Sequence, residues 1–427
     1  MKTTYQINFA EELKKCVRCG ECRANCPIFS ESKREPDSPR GRLALVKLLQ
    51  DGKIQASAEL SEKLYGCLLC KTCAVNCPSG VITDEIMVGV RDYLDDVLDR
   101  NIIKKLVLRG FLTRPALLQA SFSLVKLYQK TGLNDVLTRS KLIEHLPETM
   151  SAGAKILPDV SKRLARGRIP EVVKPYGEKR FRVAYFLGCA TNLIYPDVAV
   201  SGVDVLARHG CEVITPAVQC CGMPHLAYGD TDTMVQMAKN NMKVLLSAQV
   251  DAVVTDCSSC SATLAESYQK LFELGTVEYN QAKELSSKVY DLSKFLVEKT
   301  GIQPGPNPVN VTVTYHDPCH LKRGQNVFKQ PRELLKAIPG VDFKEMKEAD
   351  RCCGSAGSFS IMHHDLSMKV LERKISNIAA SKAAVVATSC PTCTMQLSYG
   401  LKSHGIAGQV VHPVQLLAKT YKIVDYP

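Results

Sequence analysis

Two dipeptides constrain this chain more than any other feature. Cys220-Cys221 sits in VQCCGMPH and Cys352-Cys353 in DRCCGSAG, and each pair is followed by glycine. Neighbouring Cα atoms across a trans peptide are about 3.8 Å apart, below the roughly 4.4–6.8 Å span of disulfides, so a vicinal disulfide is a poor account of them. Each pair belongs to a larger set. Cys189 precedes the first, with Cys257 and Cys260 after it; Cys319 precedes the second, with Cys390 and Cys393 after it. Corresponding cysteines are 130 to 133 residues apart, which marks the C-terminal half as an internal duplication.

Eight further cysteines form two other runs. CVRCGECRANCP holds Cys16, Cys19, Cys22 and Cys26, and CLLCKTCAVNCP holds Cys67, Cys70, Cys73 and Cys77. Both fit C-x2-C-x2-C-x3-C-P, the bacterial ferredoxin spacing, in which the fourth thiolate ligates the other cluster. That rule predicts one [4Fe-4S] cluster on Cys16, Cys19, Cys22 and Cys77, and a second on Cys67, Cys70, Cys73 and Cys26. Zinc prefers two C-x2-C pairs separated by a longer loop. Between the runs, SPRGRLALVKLLQDG reads as a helix with Ser38 as N-cap, Pro39 first and Gly52 as the stop, and Leu43, Val46 and Leu49 form its apolar stripe. A helix there favours the α-helical kind of two-cluster ferredoxin domain.

The duplicated half reads differently. RFRVAYFLGC, DAVVTDCSSC, NVTVTYHDPC and AAVVATSCPTC are short β-branched runs ending in cysteine, with helical segments after them. Alternation of this kind predicts a parallel sheet with helices on its faces, and sites in such sheets lie beyond the carboxyl ends of the strands. Five thiolates would gather there in each repeat, one more than a cubane or a structural zinc needs. A polynuclear centre uses all five; zinc or a cubane with an idle cysteine, and a metal-free dithiol, are the alternatives. Cys211, in CEVITP, stands outside every set and reads as a buried structural thiol.

Composition narrows the setting. The 427 residues are 45% hydrophobic, enough for several well-packed domains. MKTTYQINFAEELKKC has no apolar core of signal-peptide length and no run is long enough to span a bilayer, so a cytoplasmic home is expected. In that reducing setting, grouped cysteines point to metal rather than disulfides. The formal charge of +12 is spread along the chain, without Trp, and argues against nucleic acid as a partner.

At this point the chain resembles the iron–sulfur subunits of glycolate oxidase and of related lactate and glycerol-3-phosphate dehydrogenases. The resemblance rests on two ferredoxin runs joined to two C-C-G repeats, and SPRGRLALVK and CCGSAGSFSIMHHDLSMKVLERKISNI look more like the glycolate oxidase subunit than its glycerol-3-phosphate relative. It implies an electron-transfer subunit that takes electrons from a separate FAD-containing 2-hydroxyacid dehydrogenase and passes them toward a quinone or another carrier. The repeats are also similar to the cysteine-rich catalytic subunit of heterodisulfide reductase, where complete five-cysteine sets hold non-cubane clusters that cleave a disulfide. That likeness would place one such cluster on Cys189, Cys220, Cys221, Cys257 and Cys260, and another on Cys319, Cys352, Cys353, Cys390 and Cys393. A catalytic disulfide reductase is therefore the alternative function. No G-x-G-x-x-G lies between a strand and a helix, so no flavin or nicotinamide site is expected in this chain.

The expected architecture is α+β and multidomain. It comprises an α-helical ferredoxin-like domain over 1–100, a basic helical extension and linker over 101–178, and cysteine-rich α/β domains over 179–300 and 308–427. Residues 102–142 carry eight Lys/Arg against Asp135 alone, with apolar residues at helical spacing on both sides of Pro115. Such a segment suits an inter-domain helix pair or a peripheral contact with the inner face of the cytoplasmic membrane. LARGRIPEVVKPYGEKR and GIQPGPNPVN read as linkers. His225, His316 and His320 fall near the cysteine sets, where a histidine shuttles protons, tunes a cluster or simply completes a hydrogen bond.

Overall fold

The computed structural model describes residues 1, 3–98, 106–131, 148–158, 161 and 163–421. Up to Val97 the described chain is helical. Short helices (Phe9–Lys14, Glu21–Asn25, Pro27–Ser32, Thr72–Val75) surround the two cysteine runs, and longer ones (Pro39–Gln50, Ala58–Tyr65, Thr83–Val97) pack beneath them. The Pro39–Gln50 helix starts and stops where its sequence says. The Ser38 hydroxyl accepts the Gly41 N–H at 3.0 Å, Pro39 opens the first turn, and Gly52 sits at φ 69° just past the end. Leu43, Val46 and Leu49 are buried against Leu60, Leu64, Ile86 and Leu94 in one core.

Two sheets follow. In the first, the order is β1 (Val172–Val173), β3 (Cys211–Ile214), β2 (Phe181–Tyr185), β4 (Ala252–Thr255), β5 (Val289–Asp291). In the second it is β7 (Val341–Phe343), β6 (Val311–Tyr315), β8 (Val385–Ala387), β9 (Gln409–Val411). Leaving out β1, the orders are the same, and so is the register: Val183 pairs with Val213 and Ala252, Val313 with Phe343 and Val385. Among the described residues all pairings are parallel except β1 with β3. β1 lies in the stretch expected to be a linker; with two residues it is too short to show a period, and only its pairing to Val213 and Ile214 makes it a strand.

The sheets do not keep separate cores. Val183, Tyr185 and Val203 of the first unit share one apolar cluster with Val313, Tyr315, Leu334 and Val414 of the second. The basic segment is described only in part. Leu106–Leu112 is a π-helix and Pro115–Lys130 an α-helix; the rest of 102–142 lies outside the described residues. Arg109 ties this segment to the first sheet unit through the buried carboxylate of Asp230 (2.8 Å). Among the described residues no helix is long and apolar enough to cross a membrane.

Candidate metal centres

The two N-terminal runs adopt one backbone. Arg18 (φ 58°) and Gly20 (φ 93°) in the first match Leu69 (φ 51°) and Lys71 (φ 60°) in the second. Left-handed conformations at non-glycine residues are costly, and they persist where the surroundings impose them. In the second run this turns a backbone N–H onto sulfur. Leu69 N–H points at Cys67 Sγ (3.5 Å), and past the runs Phe29 N–H points at Cys26 Sγ (3.4 Å) and Val81 N–H at Cys77 Sγ (3.4 Å). Such amide cradles favour an anionic occupant. Cys16 and Cys19 lie about Cys22. Cys26 leaves its own run and joins Cys67, Cys70 and Cys73 around a pocket walled by Arg42 and Pro27. A donor set of four sulfurs, amide N–H groups and a buried guanidinium fits a cubane cluster.

Charge is supplied from below. Arg42, 2% exposed, donates to the carbonyls of Lys63 (3.1 Å) and Gly66 (2.9 Å) just before Cys67. Arg91 donates to the carbonyls of Leu64 (3.0 Å) and Cys67 (2.7 Å), and across the unit boundary to Ala227 (2.8 Å). Burial pushes the Cys26 and Cys73 thiols up, and pushes Cys70 up to about 12 with Cys352 as its next neighbour. A metal bound among them would reverse that tendency and hold them as thiolates.

Every cysteine of the duplicated sets lies past the carboxyl end of a strand. Cys189 opens Cys189–Leu193 after β2, Cys220 and Cys221 precede Met223–Tyr228 after β3, and Cys257 caps Ser258–Ala262 after β4. Cys319 follows β6, Cys352 and Cys353 follow β7, and Cys390 caps Pro391–Ser403 after β8. The glycine after each pair is required. Gly222 (φ 90°) would bring a Cβ to 2.9 Å from Met234 Cγ, and Gly354 (φ 86°) would bring one to 2.7 Å from the Ser367 carbonyl oxygen.

The sulfurs form a thread. Cys189 Sγ is 3.7 Å from Cys220 Sγ, and Cys221 interacts with Cys220 and Cys260, which meets Cys257. In the second set Cys319 meets Cys352 and Cys353 Sγ is 3.5 Å from Cys393 Sγ, beside Cys390. Cys257 and Cys390 then join the two sets, flanked by Ser258 N–H on the Ser389 carbonyl (2.9 Å). At the other end Cys352 and Cys319 interact with Cys70 of the N-terminal domain. Cys221, Cys352 and Cys390 are pushed down because each accepts from adjoining thiols, Cys220, Cys319 and Cys257 first. Cys211 stands apart at the start of β3, fully buried and pushed up by burial to about 12.

The three histidines separate. His225 is buried with Nε2 on the Leu108 carbonyl (2.9 Å). His320 bridges the units, with Nε2 at the Leu69 carbonyl (3.2 Å) and Nδ1 at Ser259 Oγ (3.4 Å). His316 is 1% exposed, a ring nitrogen lies within 4.8 Å of the sulfurs of Cys353 and Cys393, and among the described residues neither ring nitrogen meets hydrogen-bond geometry. Burial holds its pKa down at about 3. Sequence reasoning missed Arg42, Arg91 and Lys374. Lys374 is fully buried on His364–Ser381, with Nζ on the carbonyls of Glu348 (2.6 Å) and Ala349 (3.1 Å), and burial pushes it down to about 8. A signal existed: Lys374 continues the apolar stripe of Val370, Leu371, Ile375 and Ile378, where a solvated lysine does not belong.

Known proteins carry the same assembly. A 4Fe-4S dicluster domain matches residues 12–81, a cysteine-rich domain matches 183–265 and again 313–398, and the linker region of glycolate oxidase iron–sulfur subunits matches 99–157. The probable glycolate oxidase iron–sulfur subunit of Bacillus subtilis is 34% identical over 95% of this chain and 93% of its own. The glycolate oxidase iron–sulfur subunit of Escherichia coli is 27% identical, covering 90% of each. One subunit of the dihydromethanophenazine:CoB–CoM heterodisulfide reductase of Methanosarcina barkeri is 27% identical over 94% of this chain and 93% of its own. Among solved structures, a hypothetical protein from Helicobacter pylori shares the fold at a TM-score of 0.51 and 12% identity, over 98% of this chain and 74% of that one. With dicluster domain, linker and paired cysteine-rich domains in one order, and 34% identity along nearly the full length of a relative, this chain belongs to the family of glycolate oxidase iron–sulfur subunits.

Proposed function

We propose that this chain is the electron-transfer subunit of a flavin-dependent 2-hydroxyacid dehydrogenase, serving glycolate or lactate oxidation. Its partner is a separate FAD-containing subunit, and its acceptor a quinone or another carrier. In this reading Cys16, Cys19, Cys22 and Cys77 hold one [4Fe-4S] cluster, and Cys67, Cys70, Cys73 and Cys26 the other. The five-cysteine sets beginning at Cys189 and Cys319 each hold a further, non-cubane cluster. Bound iron–sulfur clusters supply one-electron acceptance and release.

The observation that carries the reading is contiguity. Cys70 shares one buried cluster with Cys352 and Cys319, and Cys257 interacts with Cys390, so three of the four sets lie in series. The chain's own residues do the rest. Burial of Cys70, Cys352, Cys353 and Cys390 excludes solvent. Arg42, Arg91 and Lys374 set positive charge beside anionic groups, as does Arg323, whose Nη1 reaches the Cys70 carbonyl (3.4 Å). Arg109 is tied to Asp230 of the first unit, and the helix Pro115–Lys130 packs on Arg109's own segment; a partner protein or an anionic membrane surface would meet the chain there.

The test is anaerobic purification of the chain from its host, followed by glycolate, D-lactate, L-lactate and glycerol 3-phosphate in turn while cluster absorbance is followed. A co-purifying flavoprotein and bleaching by one of these acids is the expected result. A chain that arrives alone, and that no hydroxy acid reduces, sinks the proposal. One observation favours a second reading: both five-cysteine sets are complete, and the heterodisulfide reductase chain of Methanosarcina barkeri is similar over nearly its whole length. If the second set is catalytic, Cys353→Ser abolishes disulfide reduction while the N-terminal cubane signals stay.

A further inference from the structure

The two duplicated sets differ at a strand-end position beside the sulfurs. Strand β2 runs out into Phe186, whose N–H donates to the Val254 carbonyl (2.8 Å), and β6 runs out into His316, whose N–H donates to the Ala387 carbonyl (2.9 Å). Tyr185 pairs with Val254 and Tyr315 with Ala387, so Phe186 and His316 occupy one structural position. Both are buried, at 0% and 1% exposure. The first unit thus offers a phenyl ring where the second offers an imidazole.

That imidazole is unusual in what it lacks. A buried histidine ordinarily pairs its ring N–H, because an unpaired buried donor forfeits its hydration with nothing in exchange. Among the described residues neither ring nitrogen of His316 meets hydrogen-bond geometry, and the backbone acceptor that faces it is the Ala349 carbonyl. The Ala349 carbonyl nearby already accepts from Asp317 N–H (3.0 Å) and Lys374 Nζ (3.1 Å). What remains within reach is sulfur: Cys353 and Cys393, within 4.8 Å and themselves 3.5 Å apart. We infer that His316 donates its ring N–H to the Cys353–Cys393 thiolates and makes the second set the higher-potential of the two duplicated iron–sulfur sites. The inference rests on the reading above that the second set holds an iron–sulfur group.

The sign follows from charge. A hydrogen bond to a ligand sulfur stabilises the reduced, more negative state and raises the potential. A second difference acts in the same direction. Lys374 brings an ammonium near Cys352 and Cys353, whereas the corresponding long helix of the first unit presents Asn241, which holds its cysteine loop through the Gln219 N–H (2.8 Å) and the Cys220 carbonyl (3.1 Å).

The experiment is an EPR-monitored redox titration of the anaerobically prepared holoprotein, with iron and sulfide counted on each sample. Three variants are compared with wild type: His316→Phe, which copies the first site, His316→Asn, which keeps an N–H donor, and Phe186→His, the reciprocal change. His316→Phe should shift the reduced-to-oxidised ratio of the second site at fixed potential about tenfold toward oxidised, about 59 mV for a one-electron couple. His316→Asn should restore most of that shift, and Phe186→His should raise the first site alone. In wild-type protein labelled with 15N-histidine, the second site should show a histidine nitrogen coupling that the first lacks. Absence of that coupling overturns the inference whether or not any variant loads, and so does a His316→Phe titration that overlays wild type. A holoprotein with no iron–sulfur signal from the second set overturns the reading beneath it instead.

Discussion

The N-terminal and C-terminal cysteine groups solve one problem in opposite ways. Cys16–Cys26 and Cys67–Cys77 are each a single short loop, and their geometry is stored locally, in paired left-handed residues that repeat from one loop to the other. Several of their thiols are half-exposed and Cys19 is exposed. The C-terminal groups gather sulfurs from three strand ends far apart in sequence, and both C-C pairs are buried. Local storage tolerates exposure because the loop needs little else. A site built from three turns has no geometry until the sheet exists, so it should fail with the sheet.

Arg91 is where the two strategies meet, and its loss should have the largest effect. Its guanidinium satisfies carbonyls of Leu64 and Cys67 on one side and Ala227 on the other, while stacking on Tyr65 at 4.8 Å. Arg91→Met leaves those carbonyls unpaired and unlocks the N-terminal domain from the first sheet unit. The expected loss is about 3–5 kcal/mol of stability, read as a urea midpoint under anaerobic conditions. Arg91→Lys should recover part of it, because an ammonium keeps the charge without the planar fork. A loss below about 1 kcal/mol would mean the two regions fold independently.

The glycines separate the regions next. Gly354 and Gly20 both hold left-handed backbone, at φ 86° and 93°. A Cβ at Gly354 meets the backbone oxygen of Ser367 at 2.7 Å, whereas at Gly20 it meets the movable tip of Arg40 at 3.0 Å. Gly354→Ala should therefore cost about 2–4 kcal/mol and strip iron from the second set, and Gly20→Ala about 1 kcal/mol with iron retained. Equal iron loss in both would remove the distinction between locally and globally stored geometry.

That distinction also explains what the sequence could announce. The ferredoxin runs, the Ser38–Pro39 helix start, the duplication and the strand-end position of Cys189, Cys257, Cys319 and Cys390 are all written in contiguous residues, and chain order was enough to read them. The meeting of Cys257 with Cys390, and of Cys70 with Cys352, depends on how whole units pack, and no spacing records it. The two-residue strand Val172–Val173 carries no period of its own. Arg91 and Lys374 were readable in principle, as charges within buried helix faces, but only their partners give them a role.

Two helix caps carry the comparison down to its smallest effects. In the second unit His412 caps Pro413–Ala418, its Nδ1 accepting the Val414 N–H at 3.1 Å. Accepting at Nδ1 requires a neutral ring, and burial pushes the pKa of His412 down to about 3. The unfolded chain titrates near 6.5, so between about pH 6.5 and 3 the unfolded state binds the extra proton and stability falls as pH falls. From pH 7 to pH 5 this group alone removes about 2 kcal/mol, and His412→Asn, which caps without titrating, should flatten that part of the profile. In the N-terminal domain Ser38 does the same job with a hydroxyl. Ser38→Ala should cost about 1 kcal/mol at pH 5 and pH 7 alike. Urea midpoints at the two pH values check both caps at once. Ser38 Oγ also donates to the Glu35 carboxylate (3.1 Å), which Arg40 holds below its ordinary range, so a Ser38→Ala loss that changed between these pH values would mean the N-terminal helix is coupled to a titrating group beyond Glu35, and would take from that domain the local self-sufficiency its loops display.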